Sequence, residues 1–169
     1  MIKDEQHIKY YNSGEILSKC NYLNGKENGK YIAYYKSGEI LTEVDYLDGL
    51  ISGEYTHYYK SGEVDFKFNY LNGNRNGENL EYYESGEILS KCNYLNGKEN
   101  GKYIAYYKSG NLRSEHYYIN GKLHGEYIRY YDGGEIRFKY YYIDGDLSNE
   151  SNWISYNRNL KLESIGIII

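Results

Sequence analysis

Ser13-Gly-Glu-Ile-Leu-Ser-Lys-Cys-Asn-Tyr-Leu-Asn-Gly-Lys-Glu-Asn-Gly-Lys-Tyr-Ile-Ala-Tyr-Tyr-Lys-Ser-Gly38 recurs letter for letter as Ser85–Gly110. The two copies lie three periods of 24 residues apart, and the same clock runs through the rest of the chain. Ser-Gly stands at 13–14, 37–38, 61–62, 85–86 and 109–110, with Gly133-Gly134 as the sixth member. Asn-Gly or Asp-Gly stands at 24–25, 48–49, 72–73, 96–97, 120–121 and 144–145, and a third glycine series runs Gly29, Gly53, Gly77, Gly101, Gly125. A fixed period of this length marks a repeat architecture in which each unit packs on its neighbours.

Tyrosine keeps the same time. Tyr22, Tyr46, Tyr70, Tyr94, Tyr118 and Tyr142 form one column, and Tyr-Tyr pairs recur at 10–11, 34–35, 58–59, 82–83, 106–107 and 130–131. A further column holds Tyr31, Tyr55, Tyr103 and Tyr127, with Asn79 at the odd position. Each unit reads as two strands. Ile16, Ser18, Cys20 and Tyr22 alternate with Lys19 and Asn21, and the matching columns Val64, Phe66, Phe68, Tyr70 identify this face as the buried one. Asn-Gly is the signature of a two-residue type I′ hairpin turn, and Lys-Ser-Gly suits a three-residue loop closed by a left-handed glycine. Strands joined only by short turns pair antiparallel. The expected fold is all-β: a single-layer antiparallel meander of consecutive 24-residue hairpins. Residues 1–13 form a partial repeat strand, 14–157 six hairpin repeats with the last degenerate, and 158–169 a C-terminal capping strand or tail. The loops are expected to set Lys36 opposite Glu39 and Lys60 opposite Glu63. Each tyrosine hydroxyl is expected at a wet rim.

The composition fits this plan. Among 169 residues there are 26 Tyr, 19 Gly and no Pro. Mean hydropathy is -0.84, yet aromatic residues make up 18%, which disordered chains lack. A net charge of -4 gives no general pull toward nucleic acid or anionic lipid. No run reaches the ~18 apolar residues of a membrane span, and the first residues show no signal-peptide pattern. The expected location is the cytoplasm, with Cys20 and Cys92 as free thiols too far apart to bridge.

Chemistry is sparse. His7, His57, His116 and His124 fall in four different columns, so the repeat brings no two together as metal ligands or as a base beside a nucleophile. No catalytic residue, metal site or cofactor is expected, and the chain is not expected to be an enzyme. Columns that change between repeats are free to serve a partner. They are the residues after each Asn-Gly turn, among them Leu50, Ile51, Leu123 and Leu147, and a second-strand column that includes His57 and Arg129. These six residues are the candidate protein-binding positions, and Tyr22, Tyr46, Tyr70, Tyr94, Tyr118 and Tyr142 are the expected aromatic ladder. At the C-terminus, four isoleucines lie within Ile165–Ile169. That tail either folds back against Trp153 as a cap or pairs with a second copy, giving a homodimer through the C-terminal edge.

The run Tyr22-Leu-Asn-Gly-Lys-Glu-Asn-Gly-Lys-Tyr31, ending in Tyr34-Tyr-Lys-Ser-Gly38, resembles the MORN repeat, and more closely the bacterial MORN-variant repeat. The resemblance covers about residues 7–160. It implies an elongated single-layer sheet and a non-catalytic protein-interaction or scaffold role, with a toxin-neutralising immunity or antitoxin protein as its specific form. The alternative it leaves open is a membrane- or cell-wall-associated binding module. The implied partner is another protein, with no nucleic acid.

Overall fold

The computed structural model describes residues 4–164 as one open antiparallel sheet followed by one helix. Its first half contains β1 (Asp4–Tyr10), β2 (Ile16–Leu23), β3 (Lys26–Tyr34), β4 (Ile40–Leu47), β5 (Leu50–Tyr58), β6 (Val64–Leu71), β7 (Asn74–Arg75) and β8 (Gly77–Tyr82). The second half contains β9 (Ile88–Leu95), β10 (Lys98–Tyr106), β11 (Leu112–Ile119), β12 (Lys122–Leu123), β13 (Gly125–Tyr130), β14 (Ile136–Ile143), β15 (Asp146–Ser148) and α1 (Glu150–Ser164). Each strand pairs with its neighbours in sequence, and β7–β8 and β12–β13 are single second strands interrupted at Asn76 and His124. The meander read from the repeat is the observed topology.

Turn chemistry sets the two long edges of the sheet. Along one edge, both turn residues take positive φ, as in Asn24 at 52° and Gly25 at 80°, which only Asn, Asp and Gly adopt cheaply. Along the other, the Tyr11 N–H donates to the Glu15 carbonyl and Gly14 N–H to the Tyr11 carbonyl, closing a three-residue loop with Gly14 at φ 102°. The third glycine sits at a bulge: Gly29 has φ 91°, and the β2–β3 register shifts between Cys20 and Tyr22.

Repeats are braced to one another at both edges. On the Asn-Gly edge, the N–H groups of Gly49, Gly73, Gly97, Gly121 and Gly145 each donate to a carbonyl of the preceding repeat at 2.8 Å. On the other edge, the hydroxyls of Tyr11, Tyr35, Tyr59, Tyr83 and Tyr107 donate to the carbonyls of Tyr34, Tyr58, Tyr82, Tyr106 and Tyr130, at 2.7–2.9 Å. The second tyrosine of the first five pairs thus fills a backbone acceptor one repeat ahead. These hydroxyls are structural bonds, which corrects the expectation of a wet rim. The charges of the loops also reach across repeats. Glu15, Glu39 and Glu87 are held below the usual carboxylate range by the hydroxyls of Ser13, Ser37 and Ser85, then by their own backbone N–H groups. Lys36, Lys60 and Lys108, each one repeat further on, add a smaller lowering to Glu15, Glu39 and Glu87.

With one layer, the core is thin and made of small residues under rings. Ser18, Cys20, Ala33, Thr42, Val44, Ser90, Cys92, Ala105 and Ser114 are buried, while the tyrosines above them are half-buried. Cys20 and Cys92 are free thiols in equivalent positions.

The C-terminus departs from the sequence reading. The sixth repeat stops after Ser148, and residues 150–164 form a helix where a degenerate strand and a capping strand were expected. Asn149 takes the place of the third glycine. Its side-chain oxygen accepts the Asn152 N–H at 2.8 Å, a helix N-cap that ends the strand. Glu150 in the first turn and Lys161 in the last complement the helix dipole. Trp153 and Tyr156, one helical turn apart, hold α1 to the sheet through edge-to-face contacts with His124 at 5.3 and 5.5 Å. The isoleucine-rich tail, residues 165–169, lies outside the described residues.

Replacing Tyr35 by Phe removes one inter-repeat hydroxyl and orphans the Tyr58 carbonyl, at an expected cost of about 1–2 kcal/mol in denaturant unfolding. Tyr131→Phe is expected to be near neutral in dilute solution, because no described group accepts that hydroxyl. Equal costs at the two positions would contradict the assignment.

Candidate protein-binding face

Directly opposed residues of an antiparallel pair share a face. Tyr22 opposes Glu27, Cys20 opposes Tyr31 and Ser18 opposes Ala33, so the columns of Tyr22, Glu27, Tyr31 and Ala33 all lie on one side of the sheet. Two of those columns are tyrosine, with Asn79 the exception in the second, and two are variable. The ladder tyrosines do not stack on one another. They alternate with the Tyr31 column: Tyr31 meets Tyr46 at 6.1 Å, Tyr55 meets Tyr70 at 6.1 Å and Tyr127 meets Tyr142 at 6.3 Å. The result is a zigzag of rings along the face.

The variable column opposite the ladder decides what each tyrosine hydroxyl meets. Tyr22 donates to Glu27 at 2.9 Å and Tyr94 to Glu99 at 3.1 Å. Tyr46, Tyr118 and Tyr142 instead oppose the hydrocarbon side chains of Ile51, Leu123 and Leu147. Where Asn79 interrupts the ring zigzag, Arg75 covers the gap, with its guanidinium 4.0 Å from the Phe68 ring centre and 5.3 Å from that of Tyr94.

Among the six candidate positions, Ile51, Leu123, Leu147, His57 and Arg129 come onto this tyrosine face. Leu50 does not: it is the next residue along the strand, at the turn edge, and its side chain lies 3.5 Å from where a Gly73 Cβ would stand. His57 stacks on Phe66 at 4.8 Å and meets Asp65 at 3.1 Å, so it extends a cluster that continues through Phe66 to Phe68 at 4.4 Å. Arg129 lies in a groove of about 370 Å³ with Arg113, Tyr103, Tyr118, Tyr127 and His116. Two guanidiniums beside three tyrosines make this the basic, aromatic end of the face.

The two thiols are not activated. Burial pushes the Cys92 thiol up to about 11 and raises Cys20, so neither is a ready thiolate. No group of three His, Cys, Asp or Glu able to hold a metal exists among the described residues. His57 with Asp65 and His124 with Asp144 are isolated pairs, at 3.1 and 3.3 Å. Sequence reasoning did not find a second concavity of about 450 Å³, between α1 and the opposite face, lined by His124, Trp153, Asn157, Glu115 and Glu126. Trp153, Tyr156 and Leu160 at spacings of three and four were the available signal, preceded by the capping Asn149.

His116 is the strained member of the tyrosine face. It is 8% exposed, stacked between Tyr103 at 4.4 Å and Tyr127 at 4.7 Å, and its Nδ1 has no hydrogen-bond partner among the described residues. Burial therefore depresses its pKa from 6.5 to about 4. Between those values the unfolded chain takes up a proton that the folded chain refuses. Stability is thus full above about pH 6.5, falls as pH drops toward 4, and stops falling below it, for a loss of up to about 3 kcal/mol. Replacing His116 by Val, the residue at the same column in Val44, is expected to remove this loss in unfolding titrations between pH 7 and 4. An unchanged pH slope would show that His116 titrates normally.

No curated protein matches the chain. Among solved structures, it is similar to the crystal structure of the GtfA/B complex bound to UDP and GlcNAc, at 14% identity and a TM-score of 0.29. That match covers 82% of this chain, which spans 25% of the other. The sequence model of the MORN repeat variant matches residues 6–24, 27–48, 51–72, 75–96, 99–120 and 123–144, one segment per repeat. With six consecutive matches over well more than half its length, the chain belongs to the MORN repeat variant family.

Proposed function

We propose that this protein is a non-catalytic binding module whose tyrosine face takes an extended segment of another protein. One observation carries the reading. Two of the three variable columns, represented by Ile51, Leu123, Leu147, His57 and Arg129, fall on the same face as the tyrosine columns. Side chains that change between repeats beside a repeated aromatic scaffold give the face a different chemistry at each repeat. Tyrosine and arginine are also the side chains that anchor protein interfaces, giving large rigid area with a polar tip. The Arg113–Arg129 groove suits an acidic side chain of the partner, and Ile51, Leu123 and Leu147 suit apolar ones.

Neutralisation of a toxin, as an immunity or antitoxin protein, is the specific form suggested by the family resemblance. Membrane or wall association is the other form. No helix among the described residues is long and apolar enough to cross a membrane.

The test compares wild type with an Arg129→Ala, Leu123→Ala double variant and with a Lys67→Ala variant on the opposite face. Affinity capture from the source cells is expected to yield one stoichiometric protein with wild type and Lys67→Ala. The double variant should bind that protein at least about tenfold more weakly. Equal binding by all three proteins, or retention on liposomes or glycans alone, would overturn the proposal.

A further inference from the structure

The two ends of the sheet are complementary over part of one hairpin, Ile136–Tyr140 at one end and residues 7–10 at the other. At the C-terminal end, β14 is a first strand of a repeat. Its inner edge pairs with β13 along its whole length, but its outer edge pairs with β15 only at Tyr141–Ile143. In the earlier repeats the outer positions equivalent to Phe138 and Lys139 are occupied by the second strand, as in Ser18↔Ala33 and Lys19↔Ile32. Here Asn149 caps α1, and the helix leaves the edge to lay Trp153 over Gly125 on the opposite face, 3.4 Å from where a Cβ would stand. The slot beside Ile136–Tyr140 therefore has no strand in it among the described residues. Ile136 and Tyr140 are 57% and 46% exposed.

At the N-terminal end the converse holds. β1 ends in the first Tyr-Tyr pair, so by the 24-residue clock it is a second strand. It pairs with β2 on its inner edge, and no described strand lies on its outer edge. Ile8 and Tyr10 are 38% and 57% exposed.

We infer that residues 7–10 of β1 in a second copy occupy the open slot on β14, beyond the end of β15, joining chains head to tail in the register of the internal repeat. That register sets Phe138 opposite Lys9, Lys139 opposite Ile8 and Tyr140 opposite His7. Each contact has an internal precedent. Tyr140 against His7 repeats, with the roles exchanged, the stacking of His116 on Tyr127 at 4.7 Å. Tyr131, 53% exposed and the next hydroxyl in the inter-repeat series, reaches the carbonyl of the incoming Tyr10, as Tyr107 reaches Tyr130 at 2.7 Å. The backbone groups also face correctly. The carbonyls of Asn69 and Tyr117 accept from their own second strands, so alternation turns the N–H and C=O of Lys139, two residues before the equivalent Tyr141, into the slot. Ile8, the counterpart of Ile32, points its N–H away from β2 in the same way. A head-to-tail contact uses different surfaces on the two copies, so it generates an open chain of molecules. One added strand is a small interface of the transient class, below ~1,200 Å².

Sedimentation equilibrium on the 169-residue protein up to ~1 mM tests this. Wild type is expected to show an average mass that rises above 19.9 kDa with concentration. Ile8→Pro removes the outward N–H while keeping the β1–β2 bonds, a position where an edge strand tolerates proline. It should stay at 19.9 kDa with an unchanged melting temperature. Tyr131→Phe, a substitution that leaves the fold intact, should weaken association about fivefold. A wild-type protein that stays monomeric overturns the inference. So does association that survives both substitutions, or that is lost only on removing residues 165–169.

Discussion

A tyrosine hydroxyl resting on the backbone carbonyl of the next repeat is the contact on which this structure depends. A single-layer sheet has no second sheet to close off its edges, so carbonyls beyond the last ladder pair face water or need a side chain. The β2–β3 pairing ends at Ser18↔Ala33, one residue short of Tyr34, and the Tyr11 hydroxyl takes the Tyr34 carbonyl at 2.8 Å. Tyrosine alone combines the reach, the donor and the flat apolar body that this position uses. The glycine N–H bonds on the opposite edge do the same with backbone alone. Between these two seams the sheet propagates as a series of nearest-neighbour contacts without a common core.

That construction leaves one face available for variation. Small residues such as Ala33, Ala105, Ser18 and Ser90 let the rings of the neighbouring columns lie down over the strands. The residue opposite each ladder tyrosine then changes its chemistry without touching the backbone. Glu27 and Glu99 accept the hydroxyl, Arg75 covers a missing ring, and Ile51 and Leu123 present hydrocarbon. A face whose scaffold is constant and whose side chains vary suits recognition. The unpaired Nδ1 of His116 shows that this face also carries a cost to stability.

Much of this was legible in the sequence because the period is strict. The three glycine series named every turn and bulge, and the tyrosine and cysteine columns named the buried side. Legibility failed where one residue changes the structure without changing the hydrophobic pattern. Asn149 in place of glycine turns a strand into a helix through a capping bond, and the aromatic contacts of α1 with the sheet come from Trp153 and Tyr156, two residues that do not make a clear amphipathic stripe. The tyrosine hydroxyl bonds were hidden because they span 23 residues and end on backbone, which no side-chain column reveals. Leu50 and Ile51 look alike in sequence, yet the alternation of the strand sends only Ile51 to the ladder.

The central claim is that each repeat is held by its neighbours alone, through seams that recur every 24 residues. Deleting residues 61–84 joins Lys60 to Ser85, restores the Tyr-Tyr-Lys-Ser-Gly loop and puts the Tyr106 carbonyl where Tyr59 now meets Tyr82. Small-angle scattering on this variant measures both folding and length. The account predicts a folded protein whose long dimension is shorter by ~10 Å, the width of two strands. An unfolded variant, or one with unchanged length, would contradict it.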